Sequence, residues 1–210
     1  MTRNLTLLAT ALAATSMAAA ALAGAAFADT FRTTPGGSAT VTGTQGVTTL
    51  LKTTGGSAEC KKATYKGTTV DQTSEIELTP TFSECTCLGV ACTIDMNSCR
   101  FRVSIGSMTI GAIDIVCPES NSITFTNTKC TIHLDSPSVV GTAVFSNIGS
   151  GTTREIKISY TFEGAKYTHT KGAGVGACTS GSGSNGTGSG TITATGETDG
   201  GTTHVELFVV

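Results

Sequence analysis

Eight cysteines, all between Cys60 and Cys178, follow a leader that reads as an export signal. A chain delivered to an oxidising compartment with an even number of cysteines is expected to be crossed by disulfides. The leader is residues 1–28. Arg3 supplies the positive start, residues 5–22 form an apolar run rich in Ala and Leu, and Ala26-Phe27-Ala28 offers small residues where a signal peptidase reads. Cleavage is expected before Asp29. Thr6, Thr10, Thr15 and Ser16 interrupt the run, and no basic stop-transfer cluster follows it, so a retained membrane anchor is not expected. No later apolar stretch is long enough to span a bilayer. The expected product is a soluble protein, secreted or held in the cell envelope.

Removing 28 of 210 residues leaves 182, enough for one domain with a real core. Losing Arg3 takes the formal charge from −2 to −3. The basic residues are scattered, with Lys61-Lys62 and Arg100/Arg102 the close pairs, which argues against nucleic acid or acidic lipid as partner. Trp is absent and aromatics are scarce, so surfaces that stack on sugars or bases lose weight.

Threonine is the commonest residue and glycine follows. Threonine is β-branched and favours strands; glycine and asparagine serve turns. Period-two alternation places Ile76, Leu78, Pro80 and Phe82 on one face. It does the same for Phe101, Val103 and Ile105, for Ile156, Ile158, Tyr160 and Phe162, and for Val205, Leu207 and Val209. One face buried and one wet is the pattern of antiparallel sheets. In 107–117 the phase changes around Gly111, which predicts a bulge there. Turns are expected at 105–107, 118–121, 149–151, 163–165 and 199–201. The reading is all-β, an antiparallel sandwich or barrel-like sandwich. Residues 29–58 are expected to be a lead-in with a possible edge strand, and 59–210 a single β domain. Composition makes 171–190 a Gly/Ser-rich loop.

Eight cysteines allow roughly a hundred connectivities, so pairing rests on local logic. Cys117 and Cys130 flank a hairpin-sized segment. Cys85 and Cys99 could clamp an excursion, and Cys87 and Cys92 would close a small loop inside it. Cys60 and Cys178 remain, holding the glycine-rich loop to the core. The rival is zinc on Cys85, Cys87, Cys92 and Cys99, but their spacing is not that of paired knuckles. Cys85-Thr86-Cys87 is Cys-x-Cys, not the redox Cys-x-x-Cys. A structural role is expected for all eight.

The segments 91–101, 113–118, 130–134 and 156–170, with Cys178 and the closing glycine-rich hairpin, resemble a group of small exported β-rich proteins of actinobacteria that carry no assigned activity. The resemblance implies an exported β-rich protein and carries over no mechanism and no catalytic residue. Sequences of this kind lack counterparts of Cys87 and Cys92, which supports pairing those two.

Catalytic and cofactor signals are weak. Residues 181–186 spell G-x-G-x-x-G, but without the strand before and helix after that would offer amides to a pyrophosphate. The histidines are His133, His169 and His204; Asp135 shares a strand face with His133, and Glu206 stands near His204. No G-x-S-x-G elbow and no calcium-loop pattern occurs, with Asp71, Asp95, Asp114, Asp135 and Asp199 spread out. Asn185-Gly186-Thr187 is a glycosylation sequon by letter. No catalytic, metal-binding or cofactor-binding residue is assigned. The expectation is a non-enzymatic exported β-domain that binds or builds through its Thr/Ser-lined faces and the 171–190 segment. The alternatives are a secreted hydrolase with scattered residues, and an outer-membrane barrel, which scarce aromatics and many cysteines disfavour.

Overall fold

The alternating segments become strands. The computed structural model describes residues 29–210 apart from 54–55, 136–139, 175–177 and 199–202, so the leader and the 199–201 turn lie outside the described residues. The strands are β1 (Phe31–Thr34), β2 (Ser38–Thr53), β3 (Gly56–Val70), β4 (Glu75–Cys87), β5 (Val90–Asp95), β6 (Arg100–Ile105) and β7 (Ile110–Val116). They continue with β8 (Ser122–Thr126), β9 (Cys130–Asp135), β10 (Val140–Ile148), β11 (Glu155–Lys171), β12 (Gly181–Thr198) and β13 (His204–Val209). A short 3-10 turn, Gly151–Thr153, separates β10 from β11. No α-helix is present among the described residues. The chain is all-β, antiparallel and disulfide-stapled.

Five long strands run side by side in the order β4-β3-β2-β12-β11. Two sets of three short strands close this wall on itself. At one end β4 pairs through residues 75–78 with β6, then β7 and β10 follow, and β10 pairs with residues 155–162 of β11. At the other end β4 pairs through residues 85–87 with β5, then β8 and β9 follow, and β9 meets residues 167–171 of β11. The result is two stacked closed rings that share the long strands. Closure pairs backbone groups that an open sheet would leave exposed at its edges.

The β1–β13 ribbon lies across the first ring. β13 pairs with β12 at residues 196–197, and the Asn147 side chain holds the backbone of Val209 on both sides, at 3.0 Å each. Phe31 of β1 is fully buried and meets Phe145 edge to face, centroids 5.7 Å apart. Within 29–58, β1 is an edge strand of the sheet, whereas β2 is central, between β12 and β3.

The interior is apolar. Tyr65, Leu78, Leu134, Ile158, Tyr160 and Ile192 are among its most buried side chains. Each fully buried large apolar side chain contributes about 1.5–3 kcal/mol relative to exposure. The outer faces carry Thr, Ser, Lys and Glu. This polarity is the reverse of a membrane-spanning barrel, which is apolar outside. Among the described residues no helix is long and apolar enough to cross a membrane.

The four disulfides are Cys60–Cys85, Cys87–Cys92, Cys99–Cys117 and Cys130–Cys178. The Cys87–Cys92 expectation agrees; Cys60–Cys178, Cys85–Cys99 and Cys117–Cys130 do not form. Sheet register is the reason. Cys60 and Cys85 are direct cross-strand partners on β3 and β4. Cys99 and Cys117 flank the Arg100–Val116 pair of β6 and β7. Cys130 opens β9 opposite Lys171 of β11, within reach of Cys178. Cys117 and Cys130 belong to different rings, so no hairpin joins them.

Two other expectations change. Gly111 is no bulge: the β7 register runs unbroken on both sides, and Gly111 is there because an added Cβ would lie 1.9 Å from the Ser104 carbonyl oxygen and 2.7 Å from the Phe145 ring. Residues 163–165 are not a turn but a bulged stretch inside β11, with Gly164 at φ +74°. The turns at 105–107 and 118–121 form, closed by Gly106 N–H to Ile110 O and Asn121 N–H to Pro118 O, each 3.0 Å.

Candidate functional site

The outer face of the long-strand wall is an organised polar surface. Inward residues on these strands are apolar, so the alternate threonines must point out. Register then aligns them. Thr81, Thr64, Thr44, Thr193 and Lys157 form one row across β4, β3, β2, β12 and β11. Thr79, Lys66, Thr42 and Thr195 form the next, and Glu77, Thr68, Thr40, Glu197 and His204 the one beyond. Neighbouring strands lie about 4.8 Å apart and successive outward residues about 6.8 Å along a strand. Within the second row Thr42 Oγ1 lies 3.0 Å from Thr195 Oγ1, and one outward step from the Thr193–Lys157 pair Ser159 Oγ lies 3.5 Å from Thr191 Oγ1. A threonine hydroxyl donates one hydrogen bond and accepts two, so the rows can meet hydroxyls and amides alike. Lysines and glutamates are interspersed, leaving no single-sign field.

The three histidines stand apart. His133 faces outward on β9, with Thr124 Oγ1 at 3.2 Å and Ser122 Oγ at 3.4 Å from the same Nδ1. Asp135 is on the same face, opposite Ser122. A hydrolytic triad needs the base between hydroxyl and carboxylate; here two hydroxyls converge on one ring nitrogen. His169 faces inward on β11, donates Nδ1–H to the Thr179 carbonyl oxygen and stacks on Tyr167 at 5.9 Å. It fixes the segment after β11. His204 is exposed opposite Glu197, beside a recess of about 240 Å³ that Glu155, Thr153 and Thr195 also line. Glu206 reaches towards Arg154, 4.0 Å away, while that guanidinium lies over the Phe208 ring.

Residues 181–186 lie within β12, not in a loop. Their partners on β11 include His169, Thr168, Tyr167 and Ala165, so the backbone is engaged in a ladder and not presented to a phosphate. Glycine is required where rings of β11 lie over β12. A Cβ at Gly183 would sit 2.4 Å from Tyr167 Oη, and one at Gly190 would sit 2.5 Å from Tyr160 Oη. Asn185 accepts a hydrogen bond from Tyr167 Oη at 3.0 Å.

Asp71 and Glu84 are the carboxylates with displaced titration. The hydrogen bond from the Arg32 guanidinium (2.8 Å) holds Asp71 below the usual range, helped by Thr33 N–H at 3.1 Å. Lys62 does the same for Glu84 on the exposed face. Both are structural ties. Among the described residues no group of three or more His, Cys, Asp and Glu is placed to hold a metal, and no cysteine is free. Cys85, Cys87, Cys92 and Cys99, the thiols weighed for zinc, are all in disulfides.

Two features had no local signal in the sequence. Asn97, at φ +46°, locks the β5–β6 link against β8 through hydrogen bonds to Ser122 O (2.8 Å) and Thr124 Oγ1 (3.0 Å). An apolar cavity of about 30 Å³ lies where the two rings meet. No family model, curated protein or solved structure matches the chain.

Proposed function

We propose that the chain is an exported, non-enzymatic β-domain that works by binding, or as a structural component of the cell envelope or extracellular space. Its working surface is the threonine-lined wall. The in-register hydroxyl rows on β4, β3, β2, β12 and β11 carry this reading. Such a face suits a hydroxyl-rich polymer of the wall or matrix, met by hydrogen bonds and not by aromatic stacking. The leader, four disulfides and the likeness to exported actinobacterial proteins support export. The segment 171–190 contributes to the surface through its β12 part.

The test is retention of the disulfide-bonded protein on isolated cell-wall and host-matrix fractions. The triple variant Thr44→Val, Thr64→Val and Thr193→Val removes three hydroxyls of one row at nearly constant volume. Retention should fall with the variant; retention that ignores it would reject the face. The second reading, a secreted hydrolase, is favoured by one observation: Ser122, His133 and Asp135 share a face. Turnover in a hydrolase panel that disappears in Ser122→Ala, with no retention on any fraction, would put that reading first.

A further inference from the structure

The wall of the double ring has a slot. β4 leaves β6 after Leu78 and joins β5 only at Cys85, so residues 79–84 face no strand partner on that side. Outside the slot lies a crevice of about 480 Å³, rimmed by Thr79, Thr81, Thr93, Asp95 and Asn97. Behind it lies the apolar cavity between the rings, lined by Leu51, Ala58, Phe101, Phe125, Tyr160 and Phe162. Phe82 and Ile94 line both spaces, and each is half-buried. Two side chains of intermediate exposure thus stand between a polar rim and an apolar pit.

We propose that this slot binds a single-chain amphiphile with a neutral or cationic head. The tail passes between Phe82 and Ile94 into the cavity, and the head stays in the crevice beside Asp95. The pit has apolar walls on every side, and a dry apolar cavity accepts apolar guests more readily than water. Its volume suits the end of an alkyl chain and not a ring. Rotation of Phe82 and Ile94 would join pit and crevice into one tapering channel, apolar inside and polar at its mouth, as ligand sites commonly are. The crevice lining contains one ionisable side chain, Asp95, and no Lys, Arg or His. An anionic head would be repelled by that exposed carboxylate and an ammonium head attracted, whereas a neutral head meets neither effect. The crevice shares Thr79 and Thr81 with the β4 end of the threonine rows, while Asp95, the Phe82–Ile94 neck and the pit lie outside them, so the Thr44, Thr64 and Thr193 variant does not touch the slot.

The test is titration of the disulfide-bonded protein with dodecyltrimethylammonium and, separately, dodecyl sulfate, both below micelle formation, followed by the methyl resonances of Ile94 and Ile123. The cationic chain should bind saturably and the sulfate at least about tenfold more weakly. Ala58→Leu, which fills the pit, should weaken binding by about tenfold or more. Phe82→Ala, which widens the neck, should tighten it, and Asp95→Asn should remove the preference between heads. Ile110→Ser tests the exposed apolar patch of Met108, Ile110 and Val144, the other place an alkyl chain could rest; it should leave binding unchanged. Absence of saturable binding, equal binding of both chains, or loss of binding in Ile110→Ser overturns the proposal. Should Ala58→Leu fail to fold, an affinity that Phe82→Ala leaves unaltered overturns it as well.

Discussion

Gly190→Ala distinguishes a packed strand from a glycine linker. A Cβ at this position would lie 2.5 Å from Tyr160 Oη, 2.7 Å from Cζ and 2.9 Å from Cε1. Tyr160 cannot swing aside, since it is 2% exposed and packs edge to face on Phe101 at 5.8 Å. Overpacking of this kind costs about 1–3 kcal/mol. Restricting the unfolded chain by Gly→Ala gives back about 0.4–1 kcal/mol. The net expectation is a loss centred on about 1.3 kcal/mol, or a midpoint lower by about 3–5 °C for a chain of this size. The assay is thermal and urea unfolding of the oxidised protein, with Gly46→Ala as reference. At Gly46 the nearest atom to an added Cβ is 3.4 Å away, so that change should be neutral or slightly stabilising. Tyr160→Phe in the Gly190→Ala background removes the closest atom and should restore part of the loss. Gly190→Ala at wild-type stability or above would refute the apposition of Tyr160 on β12.

Peptide mapping without reduction should return the Cys60–Cys85, Cys87–Cys92, Cys99–Cys117 and Cys130–Cys178 linkages; in the chain-entropy treatment, deleting the Cys130–Cys178 bridge, which closes 48 residues, should cost about 2 kcal/mol more than deleting Cys87–Cys92, which closes 5. Asn97→Ala should lower stability by about 1–3 kcal/mol, because it leaves Ser122 O and Thr124 Oγ1 without their amide and replaces a residue that tolerates positive φ by one that does so less readily. Asn97→Gly should recover the backbone part alone, as urea midpoints would show. The depressed Asp71 carboxyl stabilises the fold above its unfolded pKa of about 4, and that contribution disappears as pH falls through the lower folded value. Asp71→Asn should therefore flatten the acid limb of the stability profile and leave its slope near neutrality unchanged.

Strand faces were legible because a buried face imposes period two whatever the topology. Residues 156–162 and 205–209 read correctly for that reason. Pairing of cysteines was not, since Cys60 meets Cys85 through the register of β3 with β4, and register is settled by the whole ring. Composition misled at 181–190. Its glycines mimic a linker, yet two of them are where tyrosines of β11 lie across β12, a relation between strands that no single segment displays. The threonine rows were half visible: alternation gave the outward set, but alignment across five strands needed the pairing. The slot arises because β4 and β11 each part company with one short set and join another, β11 at a bulge carrying Gly164 and β4 beside Glu84, which stands at φ +54° while the register with β3 runs unbroken. Glu84 gives no local sign of such a conformation, and Glu163-Gly164 reads as an ordinary turn.

Strand β12 belongs to both closed circuits, and its partner β2 lies about 150 residues earlier, with Thr42 facing Thr195. During synthesis neither hoop can be shut while residues 181–198 are still missing. Until then β2 offers a long raw flank to any neighbouring chain, and the earlier staves must be kept from clumping. Assembly is thus held back by a late-arriving keystone, and slow maturation is the expected consequence of the order of the strands.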